Sequence, residues 1–220
     1  MILRNAIHTA ALLAGCLFVS AAQAGDFEIS GYGGWQSAPH SHVDVSDQPG
    51  FGAGWEGKSF ASPPYWGIRG TYWFDGGALS NLGISLDYTH DKVYADDETM
   101  AKAGWSHFEF TDGLNILTLN ALYRFPLQDL PITPYVGAGV GINVPHVEVT
   151  RPSGKTFDYQ FGGATIQAQA GVSYRFTDNW SAFLEYKGTY NWIDVDIDSN
   201  ASLKTDIITH AVNFGVSYKF

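Results

Sequence analysis

Cysteine is almost missing from this chain. Its one cysteine, Cys16, falls in the amino-terminal apolar stretch, so from Gly25 onward there is neither a disulfide framework nor a thiolate nucleophile. Beyond that stretch no segment approaches the roughly 18 consecutive apolar residues of a spanning helix. Basic residues are scarce as well, 12 against 22 acidic, for a formal net charge of −10. That balance excludes a basic nucleic-acid footprint, so no nucleic-acid partner is expected. Glycine (25 residues) and aromatics (15%) are plentiful, which suits many strands edged by interfacial aromatic girdles.

The amino terminus reads as an export signal. Arg4 supplies the positive start, residues 10–22 are mostly apolar, and Ala22-Gln23-Ala24 fits a signal-peptidase site before Gly25. Leu13-Ala14-Gly15-Cys16 also fits a lipoprotein box, but the apolar run continues through Leu17, Phe18 and Val19. Simple cleavage is favoured, giving a signal peptide over 1–24 and one domain over 25–220.

The last stretch, 206–220, alternates strictly. Ile208, His210, Val212, Phe214, Val216, Tyr218 and Phe220 share one face, and Thr209, Ala211, Asn213, Gly215, Ser217 and Lys219 the other. An apolar face with a small, polar opposite face inverts the soluble-protein pattern and fits a strand with lipid outside and a polar lumen inside. The final aromatic in register with that face resembles the carboxy-terminal strand of outer-membrane barrels, which implies recognition by the barrel-assembly machinery through Phe220.

The same pattern predicts strands over 27–37, 65–74, 82–92, 109–125, 132–149, 164–176 and 180–192. Long polar loops and short turns alternate between them. The expectation is an all-β, eight-stranded, antiparallel, up-and-down transmembrane β-barrel of outer-membrane type, monomeric, in a Gram-negative bacterium. An even strand number places both termini at the short-turn end, the periplasmic side in such proteins. Arg69, Asp87, Arg124, Arg175, Glu185 and Lys187 point into the lumen, enough for an ion-pair network that argues against a pore. A soluble lipocalin-like barrel is the alternative; signal, terminal Phe and loop asymmetry favour the membrane form. The glycines at 137, 139 and 141 are not a dinucleotide loop, because they share one strand face and no helix follows.

Chemistry-bearing residues gather at the long-loop rim. His40, His42, His90, His107 and His146 lie at or beyond strand ends, with Asp44, Glu56, Asp91, Asp96, Asp97, Glu98, Glu109, Asp112 and Glu148 among them. His40-x-His42-x-Asp44 places three potential ligands on one side of an extended segment. Imidazole with carboxylate suits Mn, Fe or Zn, while acidic surface loops also bind divalent ions loosely. A His-x-Ser pair of the kind a lipid A deacylase barrel needs does not occur after residue 24.

The segments GYGGWQSAPHSHV (31–43), GWEGKSFASPPYWGIRGTYW (54–73), LDYTHDKVYADDE (86–98), FEFTDGLNILTLN (108–120) and PYVGAGVGINVPHVEV (134–149) resemble a family of outer-membrane barrels described as lipid A oxidase-like. The resemblance implies oxidation of the proximal glucosamine of lipid A to 2-aminogluconate by molecular oxygen, with peroxide as by-product and a divalent metal, Mn or Fe, as cofactor. Lipopolysaccharide and outer-membrane lipid become the implied partners. The resemblance brings no residue set of its own, so the rim supplies candidates. His40, His90, Asp91 and His146 are the candidate catalytic groups; His40, His42, Asp44, His146 and Glu148 the metal ligands; Trp55, Glu56, Lys58 and Arg69 the substrate contacts. Arg69 fits the lumen network equally well. A non-enzymatic OmpA-like structural or adhesion barrel is the competing expectation.

Overall fold

The computed structural model describes residues 25–220 apart from Thr111, and the expected signal peptide lies outside the described residues. Among the described residues fifteen strands follow in chain order: β1 (Gly25–Ser37), β2 (Ser41–Val45), β3 (Gln48–Ala53), β4 (Trp55–Glu56), β5 (Trp66–Phe74), β6 (Leu82–His90), β7 (Val93–Ala95) and β8 (His107–Phe110). They continue as β9 (Ile116–Arg124), β10 (Ile132–Asn143), β11 (His146–Arg151), β12 (Gly154–Tyr159), β13 (Gly163–Arg175), β14 (Trp180–Ile197) and β15 (Ala201–Lys219). A short helix, α1 (Asp97–Ala103), joins β7 to β8.

Eight of these strands close into an antiparallel barrel in the order β1-β5-β6-β9-β10-β13-β14-β15, and β15 pairs back onto β1. Ile68, Leu86, Leu119, Val140, Leu184 and Phe214 stand exposed on its exterior. Exposed aromatics edge that belt, with Tyr123, Phe125, Tyr174 and Trp180 at the short-turn end and Trp66, Phe161 and Trp192 at the other. An apolar exterior of this size needs lipid around it.

The lumen is closed by side chains. Arg69 donates from both terminal nitrogens to Glu185 (2.7 and 2.8 Å) and from Nε to Asp87 (3.1 Å). Lys187 adds a 2.7 Å bond to the same Asp87 carboxylate and a contact with the Tyr32 hydroxyl. Tyr135 donates to Glu185 at 2.9 Å. Two cations thus meet two anions, and surrounding hydroxyls and amides complete their hydrogen bonding. Two expected members do not join: Arg175 is exposed, and Arg124 lies over the Trp73 ring at the short-turn end. Both sit at the last turn of their strands, where a long side chain reaches water. Bare inner positions on β10 have a steric reason: a Cβ on Gly141 would lie 2.0 Å from the Leu117 carbonyl oxygen.

Past the long-loop girdle the alternation keeps its phase but exchanges polarity. Along β14 the inward residues run Glu185, Lys187, Thr189, Asn191 and then Ile193, Val195, Ile197, while the outward ones run Leu184, Tyr186, Tyr190, Trp192 and then Asp194, Asp196. Lipid has given way to water outside, and the inside must now bury apolar surface. The loop expected over 195–205 is therefore a hairpin continuing both strands, turning at Asp198–Asn200. The hairpin β2–β3 extends this wall from β15.

A second sheet, β12-β11-β8-β7-β4, caps the opposite side of the rim. Between the two walls lies an apolar core that includes Val43, Trp55, Phe108, Phe110, Leu114, Val149, Val195 and Leu203. The strands expected over 109–125 and 132–149 each divide here. Gly113 (φ 88) and Asn115 (φ 46) take left-handed backbone and redirect the first, and Pro145 interrupts the ladder of the second. The segment expected as loop before His107 instead holds α1, capped by Asp96, whose side chain accepts from Thr99 N (2.7 Å), and closed by left-handed Gly104.

Candidate functional site

On β11 and β8 the residues Val147, Val149, Phe108 and Phe110 face the apolar core. Period-two alternation therefore turns His146, Glu148, His107 and Glu109 to the other side, the outward face of the capping sheet. Glu148 and Glu109 are directly opposite in the antiparallel register. Asp112, in the bend between β8 and β9, reaches the same place. His107 Nε2 lies 3.0 Å from Glu109 Oε1 and 3.6 Å from Glu148 Oε2. His146 Nδ1 lies 2.9 Å from Glu148 Oε1 and 3.6 Å from Asp112 Oδ2.

Two donor triads result, His107–Glu109–Glu148 and Asp112–His146–Glu148, each with its ligand atoms within 4.8 Å of one another. They share Glu148. One imidazole and two carboxylates per triad is an oxygen-rich, nitrogen-containing set that fits Mn or Fe in the divalent state, and also Zn.

The surroundings differ between the triads. His146 is 3% exposed, with the rings of Phe157 and Tyr159 at 4.6 and 4.5 Å. His107 and Glu109 border a cavity of about 370 Å³ whose lining includes Glu56, Lys58, Tyr94 and Asp97. Burial and the Glu109, Glu148 and Asp112 charges together push the Tyr94 phenol up, and burial with Asp112 and Glu148 does the same to Tyr159. Lys92 is fully buried nearby, its Nζ donating to the carbonyls of Ala61 (2.9 Å) and Pro63 (2.6 Å); burial holds its ammonium below its ordinary range.

The residues expected from the rim divide. His146 and Glu148 belong to the cluster. His42 and Asp44 pair with each other at 3.2 Å on exposed β2 and are in neither triad. His40 lies beside Gly54 and Asp96, also outside both triads. His90 stacks on Trp66 and engages the Pro64 carbonyl at 3.1 Å, with Gly113 against its ring. Asp91 turns inward, accepting from Thr209 Oγ1 at 2.7 Å. Glu56 and Lys58 form a half-exposed pair at 3.1 Å on the cavity wall. Trp55 is buried in the apolar core, its Nε1 donating to Ser41 Oγ (2.8 Å), and Arg69 is buried in the lumen, so neither borders that cavity. His210 faces the lipid belt, bonded to Tyr186.

His107, Glu109 and Asp112, expected at the rim but not among the candidate ligands, complete the cluster. Their signal in the chain is a repeated His-x-Glu, at 107–109 and 146–148, each putting both side chains on one strand face. Only the pairing of β8 with β11 brings the two copies together.

Among solved structures, a major outer membrane protein from Thermus thermophilus is 15% identical, covering 90% of this chain and 100% of its own, with a TM-score of 0.51. Neisserial surface protein A is 19% identical over 89% and 97% of the two chains, with a TM-score of 0.49. At these identities the likeness concerns the fold alone. No curated protein sequence matches the chain. The sequence does match the outer membrane protein beta-barrel domain family over residues 9–220, in agreement with the closed barrel, its lipid-facing belt and its paired girdles. The chain belongs to that family of outer-membrane barrels.

Proposed function

We propose that this barrel acts on the headgroup region of the outer leaflet as a lipid A-modifying oxidoreductase, converting the proximal glucosamine to 2-aminogluconate. One observation carries the reading: a histidine–carboxylate cluster sits on the outward face of the capping sheet, just past Trp66 and Tyr88, and opens onto a polar cavity. With the long-loop end outside the cell and both termini periplasmic, that is the depth of the phosphorylated sugars of lipopolysaccharide.

His107, Glu109, Asp112, His146 and Glu148 would hold a divalent Mn or Fe ion, which when bound supplies Lewis-acid and redox chemistry. The chain's own groups orient the sugar. Lys58 offers a cation to a phosphate and Glu56 an acceptor to a hydroxyl at the cavity mouth. In the overall reaction, on a proximal sugar whose anomeric hydroxyl is free of phosphate, the anomeric carbon loses its hydrogen and that hydroxyl loses a proton. The electron pair reduces oxygen to peroxide, and water opens the resulting lactone to the acid. Lipopolysaccharide is the partner in the membrane, and the barrel-assembly machinery, engaging the strand that carries Phe220, is the partner during insertion of a monomer.

A second reading, a non-enzymatic OmpA-like structural or adhesion protein, draws on the capping sandwich and the plugged lumen, which would equally suit a rigid surface platform. Mass spectrometry of lipid A from cells with and without the protein separates the two. A gain of one oxygen on the proximal sugar is expected. Unchanged lipid A in cells that carry the folded protein, supplied with Mn and oxygen, contradicts the enzymatic reading.

A further inference from the structure

The two donor triads are not alternative descriptions of one site. We infer that Glu148 is a bridging carboxylate between two divalent cations, one held with His107 and Glu109 and the other with Asp112 and His146. The inference rests on the reading of this cluster as a metal centre and adds to it the number of ions and the role of each ligand.

Four observations support a pair. First, Glu148 turns its two oxygens to different histidines, Oε2 toward His107 Nε2 at 3.6 Å and Oε1 toward His146 Nδ1 at 2.9 Å. A carboxylate whose oxygens address separate nitrogen donors is arranged to link two centres rather than chelate one. Second, each side has its own further carboxylate, Glu109 at 3.0 Å from His107 and Asp112 at 3.6 Å from His146. Each ion therefore has one imidazole, one terminal carboxylate and a share of the bridge. Third, the arrangement is a repeat. His107-x-Glu109 and His146-x-Glu148 occupy neighbouring antiparallel strands with Glu109 opposite Glu148.

Fourth, three carboxylates converge beside the buried His146. Two dications sharing a carboxylate relieve the repulsion at both ends.

The two positions are unequal. The His146 side is roofed by Phe157 and Tyr159, so its ion exchanges slowly; the His107 side borders the cavity and keeps coordination positions open to water or a ligand oxygen.

The test is a metal count on the full-length protein, purified from outer membranes in detergent, stripped with chelator and re-equilibrated with Mn(II). The wild type is expected to retain two Mn per chain, and its low-temperature electron paramagnetic resonance spectrum to show an exchange-coupled pair in place of the isolated six-line signal. His107→Ala and His146→Ala each retain one ion with the six-line signal, and Glu148→Gln loses the coupling together with at least one ion. Heat-modifiable migration confirms that each variant is folded, and the wild-type count and spectrum need no variant at all. One Mn per chain with an uncoupled spectrum, no retained Mn, or a coupled pair that survives Glu148→Gln overturns the inference. These outcomes are separable from the reading of function. A coupled pair in a protein that leaves lipid A unchanged refutes only the oxidase, and lipid A oxidation by a protein holding a single ion refutes only the bridge.

Discussion

Arg69 and Glu185, projecting into the lumen from strands three places apart around the barrel, form a two-pronged ion pair at 2.7 and 2.8 Å that closes it. Both side chains are almost fully buried. Removing one partner strands the other in a medium that solvates it poorly. Arg69→Ala is therefore expected to cost about 3–5 kcal/mol, read from the urea midpoint of the barrel in lipid vesicles. The double replacement Arg69→Met with Glu185→Leu should recover more than half of that loss, since no charge is then orphaned. A single variant as stable as wild type would show that the network holds nothing together.

Trp55 belongs to the apolar core above the barrel, its ring 5.1 Å from Phe108 and 6.1 Å from Phe110. Trp55→Ala should destabilise the capping sandwich by about 3–5 kcal/mol while the lipid-embedded strands persist. Limited proteolysis of intact vesicles checks this: cleavage within 41–56 and 93–110 speeds up, and heat-modifiable migration remains. Trp55→Phe should keep the wild-type cleavage pattern. Loss of lipid A modification in Trp55→Phe with the wild-type cleavage pattern would instead make Trp55 a substrate contact.

Asp91 lies beyond the end of β6, and burial pushes its carboxyl up to about 6, against hydrogen bonds from Thr209 and the Lys92 amide that favour the ionised form. The folded protein therefore holds the proton at pH values where the unfolded chain, near 3.8, has released it. Stability contributed by this group is greatest at acid pH and falls as pH rises from about 4 to about 6. At about 1.4 kcal/mol per pH unit the loss amounts to roughly 3 kcal/mol. Asp91→Asn removes the charge, keeps an acceptor for the Lys92 amide and turns its amide NH2 toward the Thr209 hydroxyl oxygen as a donor, so its unfolding midpoint should exceed that of wild type at pH 8 and converge with it near pH 4. Equal pH profiles for the two proteins would contradict the burial argument.

The lipid-embedded part of the fold was legible in the chain because one rule governs it. Ile166 to Phe176 alternate without exception and Ile208 to Phe220 with His210 as the one polar residue on the outer face, and the lumen members Arg69, Asp87, Glu185 and Lys187 follow from the phase alone. Beyond the girdle the same period continues with reversed polarity, so that Asp194, Asp196 and Lys204 look like loop residues although they are the solvent face of long strands. The site was half legible. All four of His107, Glu109, His146 and Glu148 read as rim residues and the last two as ligands, but the two pairs join only through the β8–β11 register, a long-range pairing that local pattern does not carry. His42 and Asp44 share a face of β2, but His40 precedes that strand and lies beside Asp96, and among the described residues none of the three joins a donor triad.

In the proposed function the cluster, rather than the barrel or its other rim histidines, is the seat of chemistry. The most direct measurement is the mass of lipid A from cells expressing wild type, His146→Ala, His107→Ala and His42→Ala at matched levels of folded, heat-modifiable protein. One added oxygen on the proximal sugar is expected with wild type and His42→Ala, and its loss, at least tenfold, with His107→Ala and His146→Ala. Full modification by both cluster variants would contradict it.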